Sequence, residues 1–215
     1  MELEDGEIAL RPFTEADVPA LAEALRSDSE IARWTRIPSP YSERDAREFI
    51  ATTEEKAFAI VDRTSGDLVG GIGARVHEEG VVEIGYWIRG PARGRGIATR
   101  ALGLLARWAF DELGAGRVQL TTDPENTASQ RVAEKAGFKR EGVLRALSTT
   151  SRVGGGTRSC TPCCPTISLD RSHARARAGA TPGHHPRLTL TPKSAPVARG
   201  MCRFHAEPKP ELPTP

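Results

Sequence analysis

Ten of the eleven aromatic side chains in this 215-residue chain lie before residue 146, and only Phe204 follows. Aromatic and large aliphatic groups supply most of the area a core can bury, so any globular unit here must be built from the first two thirds of the chain. Charge divides at the same place. Residues 1–145 carry 20 Lys and Arg against 25 Asp and Glu, a net of −5, while residues 146–215 carry 10 against 3, a net of +7. The later segment also holds ten of the 16 prolines, all four cysteines and four of the five histidines. With so little apolar surface to offset the entropy of ordering it, this segment is expected to be disordered. The chain thus reads as a folded domain, 1–145, followed by a low-complexity tail, 146–215.

Several classes drop out. No run of about 18 apolar residues occurs, which excludes a conventional transmembrane helix. The start, Met1-Glu-Leu-Glu-Asp-Gly-Glu7, is acidic and lacks the basic and apolar regions of a secretory leader. Residues 1–145 contain no cysteine, so neither a disulfide framework nor a thiol nucleophile serves the domain. A cytoplasmic protein is expected.

Within the domain, Ile8 to Phe13 alternates as a strand and runs into Thr14, an N-cap before a helix carrying Val18, Leu21, Ala22 and Leu25. Ser42 caps a second amphipathic helix through Ala46, Phe49 and Ile50. Ala57–Val61, Leu68–Val76 and Val81–Ile88 form a meander, with turns at Asp62–Asp67 and Glu78–Gly80. Ala98 to Leu113 bears one broad apolar stripe, Ala101, Leu102, Leu105, Trp108, Ala109 and Leu113, and is a long helix stopped by Gly114 and Gly116. Val118–Thr122 is a further strand, and Asn126–Lys135 a shorter helix ended by Gly137. This order gives an α/β sandwich around a mixed sheet.

The sharpest local signal is Arg93-Gly-Arg-Gly-Ile-Ala98, between a strand ending near Ile88 and a helix beginning near Ala98. At such a junction the first helical N–H groups have no helical acceptors, and the helix dipole adds partial positive charge. A diphosphate fits that arrangement, and Gly94 and Gly96 let the backbone approach it closely. An exposed basic turn would carry the same residues.

Arg93-x-x-Gly96-x-Ala98 after Glu83-Ile-Gly-Tyr-Trp-Ile88, followed by Asn126-Thr-Ala-Ser129, Ala136-Gly-Phe138 and Glu141-Gly142, resembles the GCN5-related N-acetyltransferases (GNAT), and within them the RimJ/RimL-like ribosomal-protein N-terminal acetyltransferases. The likeness runs from about Ile8 to Arg145. It implies a mixed, mostly antiparallel sheet flanked by helices, and an enzyme that takes acetyl-coenzyme A as acetyl donor and an amine as acceptor. It places the pyrophosphate on the backbone of Arg93, Gly94, Arg95, Gly96, Ile97, Ala98 and Thr99. It runs the pantetheine arm along the strand end at Trp87 and Ile88, where that strand splays from the one at Val118. Asn126 and Ser129 match positions that contact the coenzyme, although Asn126 also suits an ordinary N-cap and Ser129 an ordinary first-turn polar residue.

Acetyl transfer needs a deprotonated amine, a positioned thioester and donors for the developing oxyanion. Glu83, an acidic residue on the strand bordering the cleft, is the candidate base, directly or through water; a solvated strand-end carboxylate would look the same. Many of these enzymes carry a Tyr shortly before the Gly-Phe as general acid, where Ala133 stands here. Ser129 is the candidate donor in its place, with the acid otherwise unassigned and Tyr86 and Trp87 read as core and cleft wall. The acceptor is read as a protein N-terminus, with a small amine such as an antibiotic or polyamine, or a non-catalytic acyl-coenzyme A binding role, as alternatives.

In the family two more strands follow Glu141-Gly142, but here the chain breaks into Ser148-Thr-Thr-Ser151 and Gly154-Gly-Gly156. Their loss is expected to leave the strand at Val118 with an exposed edge. Cys160-x-x-Cys163-Cys164 could supply a first pair of zinc ligands, but His173, His184, His185, Cys202 and His205 offer no second pair at zinc-finger spacing and no apolar residues to pack around a metal, so no metal is expected. The tail's diffuse charge without interleaved aromatics argues against nucleic acid, and no membrane partner is expected. With permitted codons, Gly156–Ser168 read in the neighbouring frame spells Asp-Ala-Val-Leu-Tyr-Ser-Leu-Leu-Pro-Asp-Asp-Leu, close to the family's last strand. A frameshift between about Arg145 and Arg152, real or from sequencing, is therefore the expected origin of the altered tail.

Overall fold

The computed structural model describes residues 2–35, 37–53, 56–77, 80–144, 150–153, 156–159 and 164–170, with backbone alone at 144, 150–153, 156–159 and 164–166. An eight-stranded sheet runs through the molecule in the order β1-β2-β3-β4-β5-β6-β10-β7. Its strands are β1 (Leu3–Glu4), β2 (Ile8–Pro12), β3 (Ala57–Asp62), β4 (Leu68–Val76), β5 (Val81–Ile88), β6 (Arg117–Thr121), β7 (Lys139–Leu144) and β10 (Cys164–Asp170). A separate pair, β8 (Thr150–Val153) and β9 (Gly156–Ser159), is antiparallel.

Two helical layers cover the sheet. On one face α1 (Val18–Ser27), α2 (Ser29–Trp34) and α3 (Glu43–Thr52) enclose a core of Val18, Leu21, Leu25, Ile31, Ala46 and Val61. On the other α4 (Ile97–Asp111) and α5 (Thr127–Lys135) lie over Ile8, Leu10, Phe58, Ile60, Ile84 and Leu120. Capping fixes where the first layer begins. Ser42 and Asp45 cap each other's backbone at the head of α3. Ahead of α1, Asp17 accepts from the Thr14 amide at 2.8 Å and takes both Arg11 guanidinium nitrogens at 2.7 and 2.8 Å. Burial pushes the Asp17 carboxyl up, but Arg11 and Thr14 outweigh it and hold it below the ordinary carboxylate range.

Every neighbouring pair in the large sheet is antiparallel except β5 with β6. Parallel strands cannot be joined by a tight turn, so α4 makes the crossover between them. Its stripe, with Ala101, Leu102 and Leu105 all fully buried, is what lets it lie flat on the sheet.

The expectation of an exposed edge at Val118 is corrected. β10 pairs antiparallel with β6, Ile167 opposite Leu120 and Leu169 opposite Val118, and on its other side with β7. Ile167 is 1% exposed, beside Val118 at 0% and Leu120 at 2%. A stretch inside the segment read as tail therefore completes the sheet. Residues 145–149, where the frame junction would begin, and residues 171–215 lie outside the described residues, as do Cys160, Cys163, His173, His184, His185, Cys202 and His205. Among the described residues, no group of three or more His, Cys, Asp or Glu side chains is placed to hold a metal ion. No described helix is long and apolar enough to cross a membrane.

The buried contact at the β6–β10 seam predicts that Ile167→Ala lowers stability by about 2–5 kcal/mol. Urea denaturation of the full chain followed by circular dichroism measures it.

Candidate functional site

The parallel pairing of β5 and β6 covers only Val81, Val82 and Glu83 against Arg117, Val118 and Gln119. On its other side β5 stays paired with β4 as far as Ile88 opposite Gly70. Beyond Glu83 the strands part, and the edge of β5 from Ile84 to Ile88 borders a cleft. Side chains alternate across it. Ile84, Tyr86 and Ile88 belong to the α4/α5 face, while Glu83, Gly85 and Trp87 lie on the α1–α3 face. The Trp87 indole packs over Gly71, where an added Cβ would come within 2.7 Å of its Nε1.

The chain leaves β5 through a 3-10 turn, Gly90–Ala92, and reaches α4 by way of Arg93–Gly96. Gly94 and Gly96 have φ of +78° and +79°, the left-handed region that disfavours any side chain. A Cβ at either would meet nothing within 4 Å, so the space in front of the loop is open and backbone conformation is what demands glycine. Gly96 is the N-cap of α4 and has no side chain with which to cap it. The first helical bond runs from the Arg100 amide to the Gly96 carbonyl, so the amides of Ile97, Ala98 and Thr99 have no acceptor within the helix. Ile97 is buried, 3% exposed, which roots the turn in the core.

The arginines around this loop are already engaged. Arg93 donates from Nε to the Ile88 carbonyl at 3.1 Å and from Nη2 to Asp28 at 2.6 Å. Arg95 bonds to Asp62 at 2.6 Å, and Arg100 reaches Asp5 and Glu7. Arg95, with the amides of Thr64 and Ser65, holds the Asp62 carboxyl below its ordinary range. Free positive character at the loop therefore resides in amides and the helix dipole.

At the other wall of the cleft, Asn126 caps α5 by accepting from the Ser129 amide at 3.0 Å. The Ser129 hydroxyl lies 3.0 Å from the Tyr86 hydroxyl. Burial raises the Tyr86 phenol, and its bond to Ser129 works against that rise. The structure thus joins Asn126, Ser129 and Tyr86 in one chain of contacts. Glu83 stands on the opposite face of β5, where its carboxylate meets His77 Nε2 at 3.0 Å. It is not brought into contact with Ser129.

A model of the acetyltransferase (GNAT) domain matches residues 7–139. The chain belongs to the GNAT acetyltransferase family. Among curated relatives it is 34% identical over 102 residues to "Probable N-acetyltransferase YjcK" of Bacillus subtilis, covering 46% of this chain and 56% of that protein. It is 30% identical over 152 residues to "Uncharacterized N-acetyltransferase YoaA" of the same organism, covering 66% and 85%. A GNAT-family acetyltransferase crystal structure from Bacillus anthracis aligns with TM-score 0.70 at 25% identity, over 80% of this chain and 99% of that one. Two solved neighbours share the fold at lower identity. Mycobacterium smegmatis RimJ, in complex with CoA-disulfide, has TM-score 0.66 at 20%, over 83% and 93% of the two chains. Vibrio cholerae spermidine N-acetyltransferase, in complex with CoA and spermine, has 0.63 at 17%, over 80% and 99%. This GNAT chain is an N-acetyltransferase with a mixed α/β fold.

Three residues gain parts here that sequence reasoning did not give them. Tyr86, read as core or wall, is the partner of Ser129, and its place two residues from Ile84 and Ile88 on one strand face was the available signal. His77 and Asp28 were not singled out, because their partners are set by strand pairing and by a tertiary contact. Asp62→Asn should narrow the dependence of stability on acid: a carboxylate with a lowered folded pKa stabilises above the unfolded value of about 4 and stops doing so as pH falls through the folded one. Melting temperatures from pH 6 to pH 3 should show the variant's deficit shrinking with pH.

Proposed function

We propose that this GNAT domain transfers the acetyl group of acetyl-coenzyme A to a protein N-terminal α-amine, in the manner of the RimJ/RimL-like branch. The observation that carries the reading is the meeting of two features: the uncapped, glycine-flanked start of α4 opens at the mouth of the split between β5 and β6. The amides from Gly94 to Thr99 offer donors to a diphosphate, and the β5 edge at Trp87 and Ile88 offers a strand-like partner to an amide-bearing pantetheine arm.

In this reading the split holds the thioester between two groups. On the α1–α3 face Glu83, with His77 beside it, accepts the proton lost by the attacking amine, directly or through a water. On the α4/α5 face Ser129, its hydroxyl set by Tyr86 and its amide by Asn126, donates a hydrogen bond to the sulfur, which leaves as the thiolate when the amine nitrogen bonds the carbonyl carbon and the C–S bond breaks. Amine acidity favours the N-terminus as acceptor. An α-amine titrates near about 8 and is partly neutral at physiological pH, so a half-exposed carboxylate is base enough, whereas an alkylamine near about 10.4 asks for a stronger one. A cytoplasmic setting suits such a substrate.

Isothermal calorimetry with acetyl-coenzyme A should give micromolar binding. Gly96→Glu, which puts a carboxylate and a strained φ at the loop, should weaken it at least about 100-fold, the scale of losing close phosphate contacts. Release of the coenzyme thiol should then be faster with a panel of free N-terminal peptides than with spermidine. No binding by folded wild-type protein would overturn the coenzyme site, and a preference for spermidine would overturn the acceptor.

A further inference from the structure

We propose that Asp28 is a positioning residue for the acetyl-coenzyme A site, fixing the entry to the Arg93–Gly96 loop from the junction of α1 and α2. The proposal rests on the reading of that loop given above. Asp28 stands between α1 and α2, and its carboxylate divides its work between two segments about sixty residues apart. Oδ1 accepts the amides of Glu30 at 3.1 Å and Ile31 at 3.3 Å, capping α2. Oδ2 accepts the Gly90 amide at 3.0 Å and Arg93 Nη2 at 2.6 Å.

The second pair of bonds closes a ring. Arg93 also donates to the Ile88 carbonyl, and its amide to the Gly90 carbonyl at 3.1 Å, so residues 88–93 are tied at both ends and in the middle. Gly94 and Gly96 follow immediately with open space before them, and the direction in which their amides face is set by the turn that delivers them. Arg93, whose backbone amide was expected to meet the pyrophosphate, instead gives that amide to the Gly90 carbonyl and turns its side chain back onto Ile88 and Asp28.

The chemistry requires an anion. Every group facing Asp28 is a donor: three amides and a guanidinium. Asparagine has one acceptor oxygen and one NH2, so in either flip an NH2 would confront either the α2 amides or Gly90 and Arg93. Asp28 has a side chain only 16% exposed. Burial raises its carboxyl, but the Arg93 bond and charge with the Ile31 and Gly90 amides bring it below the ordinary range, so it is ionised at neutral pH. A second tether close by provides a contrast: Arg89 bonds the Leu68 carbonyl and Glu23, whose side chain is 53% exposed, and makes no bond to the loop itself.

The experiment is calorimetry with acetyl-coenzyme A on full-length wild type, Asp28→Asn, Arg93→Gln, the double variant and Glu23→Gln, with melting curves for each. Asp28→Asn and Arg93→Gln should each weaken binding about tenfold or more, and the double variant by no more than about twofold beyond the weaker single, as for two ends of one bond. Glu23→Gln should stay within about twofold of wild type, as for an exposed pair. In the thiol-release assay the KM for acetyl-coenzyme A should rise with the dissociation constant while kcat at saturation holds within about threefold, the pattern of lost binding rather than lost chemistry. Wild-type affinity in folded Asp28→Asn, or additive losses in the double variant, would overturn the assignment. Should Asp28→Asn not fold, unchanged affinity in Arg93→Gln would overturn it equally. Wild type that binds nothing overturns the coenzyme reading and this one together, whereas wild type that binds with the variants unaffected overturns this one alone.

Discussion

The single parallel step in the sheet, β5 to β6, is the constraint from which the site follows. Strands that run the same way need a long crossover, and the helix that makes it must start at the carboxyl end of the first strand. That geometry delivers the N-terminus of α4, with its unpaired amides, to the same end of the sheet at which β5 and β6 separate after Glu83. Ligand sites of open α/β sheets arise outside the carboxyl ends of strands for this reason. Antiparallel neighbours could not produce it, because a hairpin has no helix start to offer.

Most elements were legible because each carried its own signal. The apolar stripe read as Ala98–Leu113 is a helix over Ile97–Asp111, and the strand read as Val118–Thr122 spans Arg117–Thr121. Helix α2 was not read: six residues with Ile31 as their buried side chain have no periodicity to show. β10 was missed for another reason. Ten prolines averaged over residues 146–215 describe the segment as a whole, whereas Ile167 and Leu169 alternate with Ser168 over a few residues, and their burial depends on β6 and β7 being there to receive them. Composition decides whether a segment can make its own core; it does not decide whether a short stretch can join a neighbour's.

The site divides the same way. The loop and the two helix starts are local motifs, and Gly94, Gly96 and Asn126 stand where local chemistry puts them. What the sequence could not show is direction. Whether Arg93 faces a ligand or the protein depends on Asp28, 65 positions earlier, and whether Tyr86 is wall or partner depends on Ser129, 43 positions later.

These long-range pairs share one consequence. Arg93, Arg95 and Arg100 flank the start of α4, and each is bonded to an acidic side chain from a different part of the chain: Asp28, Asp62, and Asp5 with Glu7. Pairing removes much of the loop's mobile charge and ties its approach, its middle and the first turn of α4 to the α1–α2 junction, β3 and the N-terminal segment. In the proposed function, a diphosphate there would meet fixed amide dipoles rather than swinging cations. Fixed donors need little reorganisation when a ligand binds, so more of their interaction appears as affinity.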